Sequence, residues 1–299
     1  MTILVTGATG AQGNATARAL LAAGRQVRAL TRDPSSPGAA ALAGLGAEIA
    51  SGDYDDPASL AAACAGMAGI FSVQLPSPPD VPEREARHGA ALIRAARDAR
   101  VATFVHSSVA RADEEDSFVG WREGRWPLSY WRGKSAVNAL VRSAGFDHAT
   151  ILKPSFMMDN FILPKAAHMM PPLASGRIVS ALAPDTRLDL IAASDIGAFA
   201  AAAFADPADF AGADIPLAAE SLTMGEVAAL IGDVTGRPID AIHVDQASAV
   251  AQGVPAGVVD SQSWARVEGY KVEIAALDRW GITLTGFAAW LAAHGTMIP

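Results

Sequence analysis

A single cysteine, Cys64, in 299 residues leaves no partner for an intrachain disulfide and no basis for a cysteine-built metal site. It stands in an Ala-rich stretch of helical spacing and is expected to pack. The histidines at 88, 106, 148, 168, 243 and 294 include no His-x-x-x-His pair, so no histidine metal site is expected either. Charge is scarce: charged residues make up 18%, the formal net charge is −8, and no run is rich in Lys and Arg. Such a chain lacks the electrostatic footprint of a nucleic-acid binder. No apolar stretch approaches the ~20 residues that span a bilayer, and no positively charged flank precedes an N-terminal apolar core of the secretory kind. The expectation is a cytoplasmic protein that binds neither nucleic acid nor membrane and meets a small molecule. Monomer and homodimer both stay open. What abounds is apolar: hydrophobic residues reach 51%, enough to core one large α/β domain or two smaller ones.

Apolar runs of strand type at Ile3–Thr6, Gln26–Leu30, Ala47–Ser51, Gly69–Val73, Thr103–Ser107 and His148–Lys153 alternate with Ala- and Leu-rich helical spacing over 11–23, 57–65, 83–99 and 131–144. That alternation predicts a doubly wound parallel sheet, a Rossmann fold, over 1–153. Residues 154–299 are less regular, with short strands near 177–182, 187–192 and 214–217 and helices near 194–204, 223–235 and 285–295. They read as a smaller α/β C-terminal substrate lobe. No linker separates the halves, so they are expected to pack closely, with some elements free to return to the first domain.

Directly after the first strand comes Gly7-Ala8-Thr9-Gly10-Ala11-Gln12-Gly13, followed by a helix. Strand, glycine turn and helix in that order present unpaired N–H groups and a positive dipole end to an anion, here a dinucleotide pyrophosphate. Gly7 permits the turn, Gly10 the approach of phosphate, and Gly13 the close lie of helix on strand. The second strand ends in Thr31-Arg32-Asp33-Pro34. An arginine there accommodates a 2′-phosphate and favours NADP(H) over NAD(H), while Asp33 leaves room for NAD. Asp53 and Tyr54 close the third strand, where Asp53 serves either the adenine amino group or a turn. Val73 and Gln74, after the fourth strand, are placed under the nicotinamide ribose.

Tyr130 and Lys134 stand one helical turn apart, so the ammonium can sit beside the phenol and lower its pKa toward a range useful in acid–base catalysis. Ser107 and Ser108, ending the fifth strand, supply hydroxyls to orient a substrate oxygen. The acidic run Asp113–Asp116 reads as a solvated loop rather than a site. His168, beside Met169 and Met170, reads as core packing in preference to a pocket lining. The segment 109–129, with Trp121 and Trp126, is long enough for a lid.

Together the glycine turn, Thr31–Pro34, Gly52-Asp53, Ser107-Ser108, Lys134, Pro154 through Asn160, Ser194-Asp195-Ile196-Gly197 and the Leu222–Val227 and Val234–Pro238 segments resemble the NmrA-like branch of the atypical short-chain dehydrogenases/reductases. The resemblance implies a cofactor site that also includes Pro154 and Phe156. It implies either an NADPH-dependent reductase of carbonyl or quinone-like molecules or a non-catalytic NADP(H) sensor. Tyr130 stands where the family commonly has histidine or another residue, a departure toward the catalytic Tyr-x-x-x-Lys of the wider superfamily, and Asn138 stands where it often has glutamate. A nucleotide-sugar epimerase or dehydratase would share the fold and the Tyr/Lys pair, but the Met-, Phe- and Pro-rich stretch 154–173 suits an apolar pocket.

Overall fold

A computed structural model of the chain describes residues 1–299 in two compact units. The first comprises Met1–Glu115, Leu128–Pro154 and Ala193–Pro216; the second comprises Asp116–Pro127, Ser155–Ala192 and Leu217–Pro299.

In chain order the elements through the first half are β1 (Thr2–Val5), α1 (Ala11–Ala22), β2 (Gln26–Thr31), α2 (Pro37–Gly44), β3 (Glu48–Ser51), α3 (Pro57–Cys64), β4 (Gly69–Ser72), α4 (Arg84–Asp98), β5 (Thr103–Ser107), α5 (Leu128–Ser143) and β6 (His148–Pro154). There follow β7 (Phe156–Met157), α6 (Ala166–Met169), β8 (Arg177–Ser180), β9 (Leu188–Ile191), α7 (Ala193–Ala205), α8 (Pro207–Phe210), β10 (Asp214–Leu217), β11 (Glu220–Leu222), α9 (Met224–Thr235), β12 (Asp240–His243), α10 (Gln246–Ala251), α11 (Ala256–Val267) and α12 (Phe287–His294).

The main sheet has seven strands in the order β10-β6-β5-β4-β1-β2-β3. Strands β1 to β6 pair in parallel, with β1 central between β2 (Ile3 opposite Val27) and β4 (Ile3 opposite Gly69). The order reverses about β1, so the ends of β1 and β4 flank the switch point at which doubly wound sheets bind ligands. Its inner strands β1, β4 and β5 are buried on both faces, as the middle of a parallel sheet requires: Leu4, Ile70 and Phe104 are fully buried and pack with Leu60, Leu92, Val137 and Ile151. Cys64 lies in that core, where burial pushes its thiol up to about 12, so it packs and does not react.

Three elements add detail to the sequence expectations. The short helix α2 is capped by Ser36 with Pro37 in its first turn, signals masked by a composition of Ala and Gly. α5 begins at Leu128, three residues ahead of the expected start, so Tyr130 lies on the helix itself. α7 belongs to the first unit and packs on α1, where a Cβ on Gly197 would come within 2.7 Å of the Ala15 carbonyl oxygen.

The second unit carries a three-stranded sheet, β11-β9-β7, with β11 antiparallel and β7 parallel to β9, and a parallel pair β12-β8. Residues 116–127 are packed into this unit. Phe118 meets the Trp264 ring edge-on at 5.5 Å, the Val119 N–H donates to Glu268, and Trp126 donates back to the Val119 carbonyl. Trp121 and Trp126 are both buried. No helix is long and apolar enough to cross a membrane.

Candidate cofactor and active site

The glycine turn has no room for a side chain at Gly7 or Gly13. Gly7 has φ +57°, and a Cβ there would press on Val73; a Cβ on Gly13 would lie 2.2 Å from the Gly7 carbonyl oxygen. α1 therefore seats directly on the end of β1. Its N-cap is Gly10, no side chain caps it, and its first turn holds no acid, while Gly7, Thr9 and Gly10 are exposed. The opening N–H groups, from Ala11 onward, and the positive dipole end thus face outward, a fit for a dinucleotide pyrophosphate. Thr6 bonds the Phe71 carbonyl and the Val73 N–H, locking the ends of β1 and β4 together.

Around this turn the predicted residues divide. Arg32, just past β2, is exposed. Asp33 accepts from both the N–H and the hydroxyl of Ser35, which holds its carboxyl below the usual range. Asp53 Oδ1 accepts from the Asp55 N–H at 3.0 Å, the turn role of the two expected. Tyr54 donates to the Val73 carbonyl at 2.9 Å and stacks on His88, and burial pushes its phenol up to about 12. Gln74 is buried; its amide donates to Ser72 and its Oε1 has no partner.

At the end of β5, Ser107 donates to Gln12 Oε1 in the first turn of α1, joining the strand end to the glycine turn. The neighbouring Ser108 hydroxyl is buried with no partner. Pro154, ending β6, accepts from the Ala110 N–H. Phe156 lies in the second unit, where it lines an apolar pocket with Met169, Met170, Leu188, Met224 and Val258.

On α5 the Lys134 ammonium stands 5.9 Å from the centroid of the half-buried Tyr130 ring. Its nearest ionic partner is a residue the sequence reading missed. Lys134 Nζ is 2.6 Å from Glu85 Oε1 on α4, and Glu85 is fully buried. Burial raises the Glu85 carboxyl pKa, and Lys134 works against that rise. Gly133 makes room for the pair, since a Cβ there would fall 2.8 Å from Glu85 Oε2. A signal was present: Glu85 shares its helical face with Gly89, Leu92 and Ala96, all buried. Nearby, His106 is fully buried and is pushed down to about 3, first by burial and then by Lys134, so it is neutral in ordinary buffers.

Two other expectations are corrected. Asp113 lies at the surface like the rest of its acidic run, but its carboxylate is paired and not free in solvent. It accepts from Lys153 at 2.9 Å, Arg142 at 2.7 Å and Asn138 at 2.9 Å; burial works to raise its pKa, but these bonds hold the carboxyl below the usual range. Lys153 and Arg142 also bind Asp214, so the network fastens β6, α5 and β10. His168 is exposed on the short helix α6 and does not pack in a core, because the apolar side of that turn is taken by Ala166 and Met170.

The profile of the NmrA-like family matches residues 1–269. The chain belongs to the NmrA-like family. Among its relatives, an NAD(P)H azoreductase of Xenophilus azovorans is 30% identical over 271 residues, covering 87% of this chain and 85% of that one. The NmrA-like fold is matched by triphenylmethane reductase of Citrobacter sp., solved with NADP(H), at a TM-score of 0.78, 22% identity and 98% and 100% coverage. It is also matched by NmrA, a negative transcriptional regulator solved with NADP, at a TM-score of 0.70, 22% identity and 90% and 82% coverage. At these identities the two structures speak for fold alone.

Proposed function

We propose that this chain is an NADPH-dependent reductase of a small, apolar carbonyl or quinone-like substrate, of the short-chain dehydrogenase/reductase type. The observation that carries the reading is the Ser107–Gln12 hydrogen bond. It ties the pyrophosphate turn to the strand end whose next hydroxyl, Ser108, is buried and unpartnered, and whose following helix carries Tyr130 and Lys134. The azoreductase relative supports the reaction class. Preference for NADP(H) is supported by Arg32, exposed beyond β2, next to an Asp33 already engaged by Ser35. The Met-, Phe- and Pro-rich composition of 154–173 supports an apolar acceptor.

When bound, the cofactor supplies the hydride. The turn from Gly7 to Gly13 holds its pyrophosphate, and Val73 and Gln74 line the ribose. Lys134 has N–H groups beyond the one facing Glu85 with which to bind ribose hydroxyls. Ser108 orients the acceptor oxygen while Ser107 is held by Gln12, and Tyr130 delivers the proton from its hydroxyl. NADPH oxidation at 340 nm across a panel of quinones, aromatic carbonyls and azo compounds tests this. Turnover above the acceptor-free rate is expected with at least one class; none with any acceptor contradicts it.

The second reading is an NADP(H) sensor, favoured by the likeness in fold to the regulator NmrA. Tight NADPH binding without turnover, with a partner affinity that changes on cofactor addition, would select it.

A further inference from the structure

The Tyr-x-x-x-Lys spacing alone presents a bare ammonium to a phenol. The structure presents an ion pair. Lys134 Nζ lies 2.6 Å from Glu85 Oε1 and more than twice as far, 5.9 Å, from the Tyr130 ring centroid. The pair is enclosed: Glu85 is 0% and Lys134 5% exposed. The Glu85 N–H donates to Ser77 at 2.9 Å, which fixes the start of α4, and Gly133 is the gap through which the carboxylate reaches α5. We propose that Glu85 is a positioning residue for Lys134, holding the ammonium on the inner side of α5 and neutralising there the charge that would otherwise bear on Tyr130. This deepens the reductase reading and rests on it for its consequence, because the protonation of Tyr130 would then be governed by the Glu85–Lys134 pair and not by Lys134 alone.

The electrostatics follow from elementary arguments. A bare charge acts on a group ~6 Å away with its full Coulomb field, whereas a compact pair of opposite charges acts as a dipole whose field falls off faster. The other charged groups around the pair are either paired elsewhere, neutral or secondary to Lys134. His106, from β5, is neutral. Arg84, beside Glu85 on α4, is half-buried, donates to the Pro76 carbonyl and adds a weaker pull on the Glu85 carboxyl than Lys134 does. Arg132, on α5, is exposed. Asp113 and Asp214 bind Arg142 and Lys153.

The test is a phenolate absorbance titration of the full chain, with and without NADPH. The chain has three tyrosines, and burial raises the pKa of both Tyr54 and Tyr270, so subtraction of a Tyr130→Phe trace isolates Tyr130. Glu85→Gln exposes Tyr130 to an uncompensated cation and is expected to move its midpoint down by about one pH unit. Glu85→Gln with Lys134→Met removes both charges and is expected to restore the wild-type midpoint. If Lys134 acted on Tyr130 uncompensated, Glu85→Gln would leave the midpoint unmoved and the double variant would raise it; either result overturns the proposal. The double variant decides the matter if Glu85→Gln fails to fold. A protein with no turnover but with these shifts loses the reductase reading and keeps this one. Turnover with unmoved midpoints does the reverse.

Discussion

The Cβ that Gly13 lacks would stand 2.2 Å from the carbonyl oxygen of Gly7. This contact sets how closely α1 rides on the end of β1, and therefore where the first N–H groups of the helix point. Gly13→Ala cannot be absorbed by a side-chain rotation, because the obstacle is backbone. Overpacking of this kind is expected to cost about 3 kcal/mol, read as a lowered urea midpoint. NADPH affinity, followed by nicotinamide fluorescence, should fall with it. Wild-type stability in this variant would contradict the packing described.

Arg32 predicts cofactor choice. With Asp33 engaged by Ser35, Arg32→Ala should weaken NADPH binding roughly tenfold to a hundredfold, the worth of a charge-assisted contact, while NADH binding stays nearly unchanged. Calorimetric titration with both dinucleotides checks it, and equal losses for the two would remove the 2′-phosphate role.

The Glu85–Lys134 pair predicts a stability effect separable from catalysis. Lys134→Met leaves a buried carboxylate without its counter-ion, at a cost of about 3–5 kcal/mol. The sign follows from linkage: burial raises the Glu85 pKa, so the folded state holds a proton the unfolded state releases, and stability falls as pH rises through that window. Unfolding free energies of the variant should thus be higher at about pH 5 than at about pH 8. Adding Glu85→Gln should flatten the difference.

His106 gives the opposite slope. Its pKa is pushed from 6.5 to about 3, so below about 6.5 the unfolded chain takes up a proton that the folded one refuses. Stability is lost progressively as pH falls from about 6.5 toward 3, and His106→Gln should reduce that loss. NMR of the His106 ring at about pH 5 should show neutral imidazole.

The glycine turn was legible because its geometry is local: seven consecutive residues contain the strand end, the turn and the helix start. The inner parallel strands were equally legible, since burial on both faces makes β1 and β4 apolar runs, and β2 and β3, toward one edge of the sheet, were placed by their regular alternation with helices. The second unit was harder to read, as β7, β11 and β12 are two to four residues long and exist only through their pairing. Glu85 was missed because an acid in the first turn of a helix ordinarily faces solvent and favours the dipole; only its place in the buried stripe marked it otherwise. Asp113 was hidden similarly, since the run around it is solvent-exposed in character and its partners come from α5 and β6.

On the proposed function, Tyr130 gives up a proton as hydride arrives. The most direct measurement is the NADPH oxidation rate of Tyr130→Phe beside wild type, at saturating cofactor and with the best acceptor found. A fall of about 10²–10⁴ in kcat with NADPH affinity retained is expected; full activity in the variant would remove Tyr130 as proton donor.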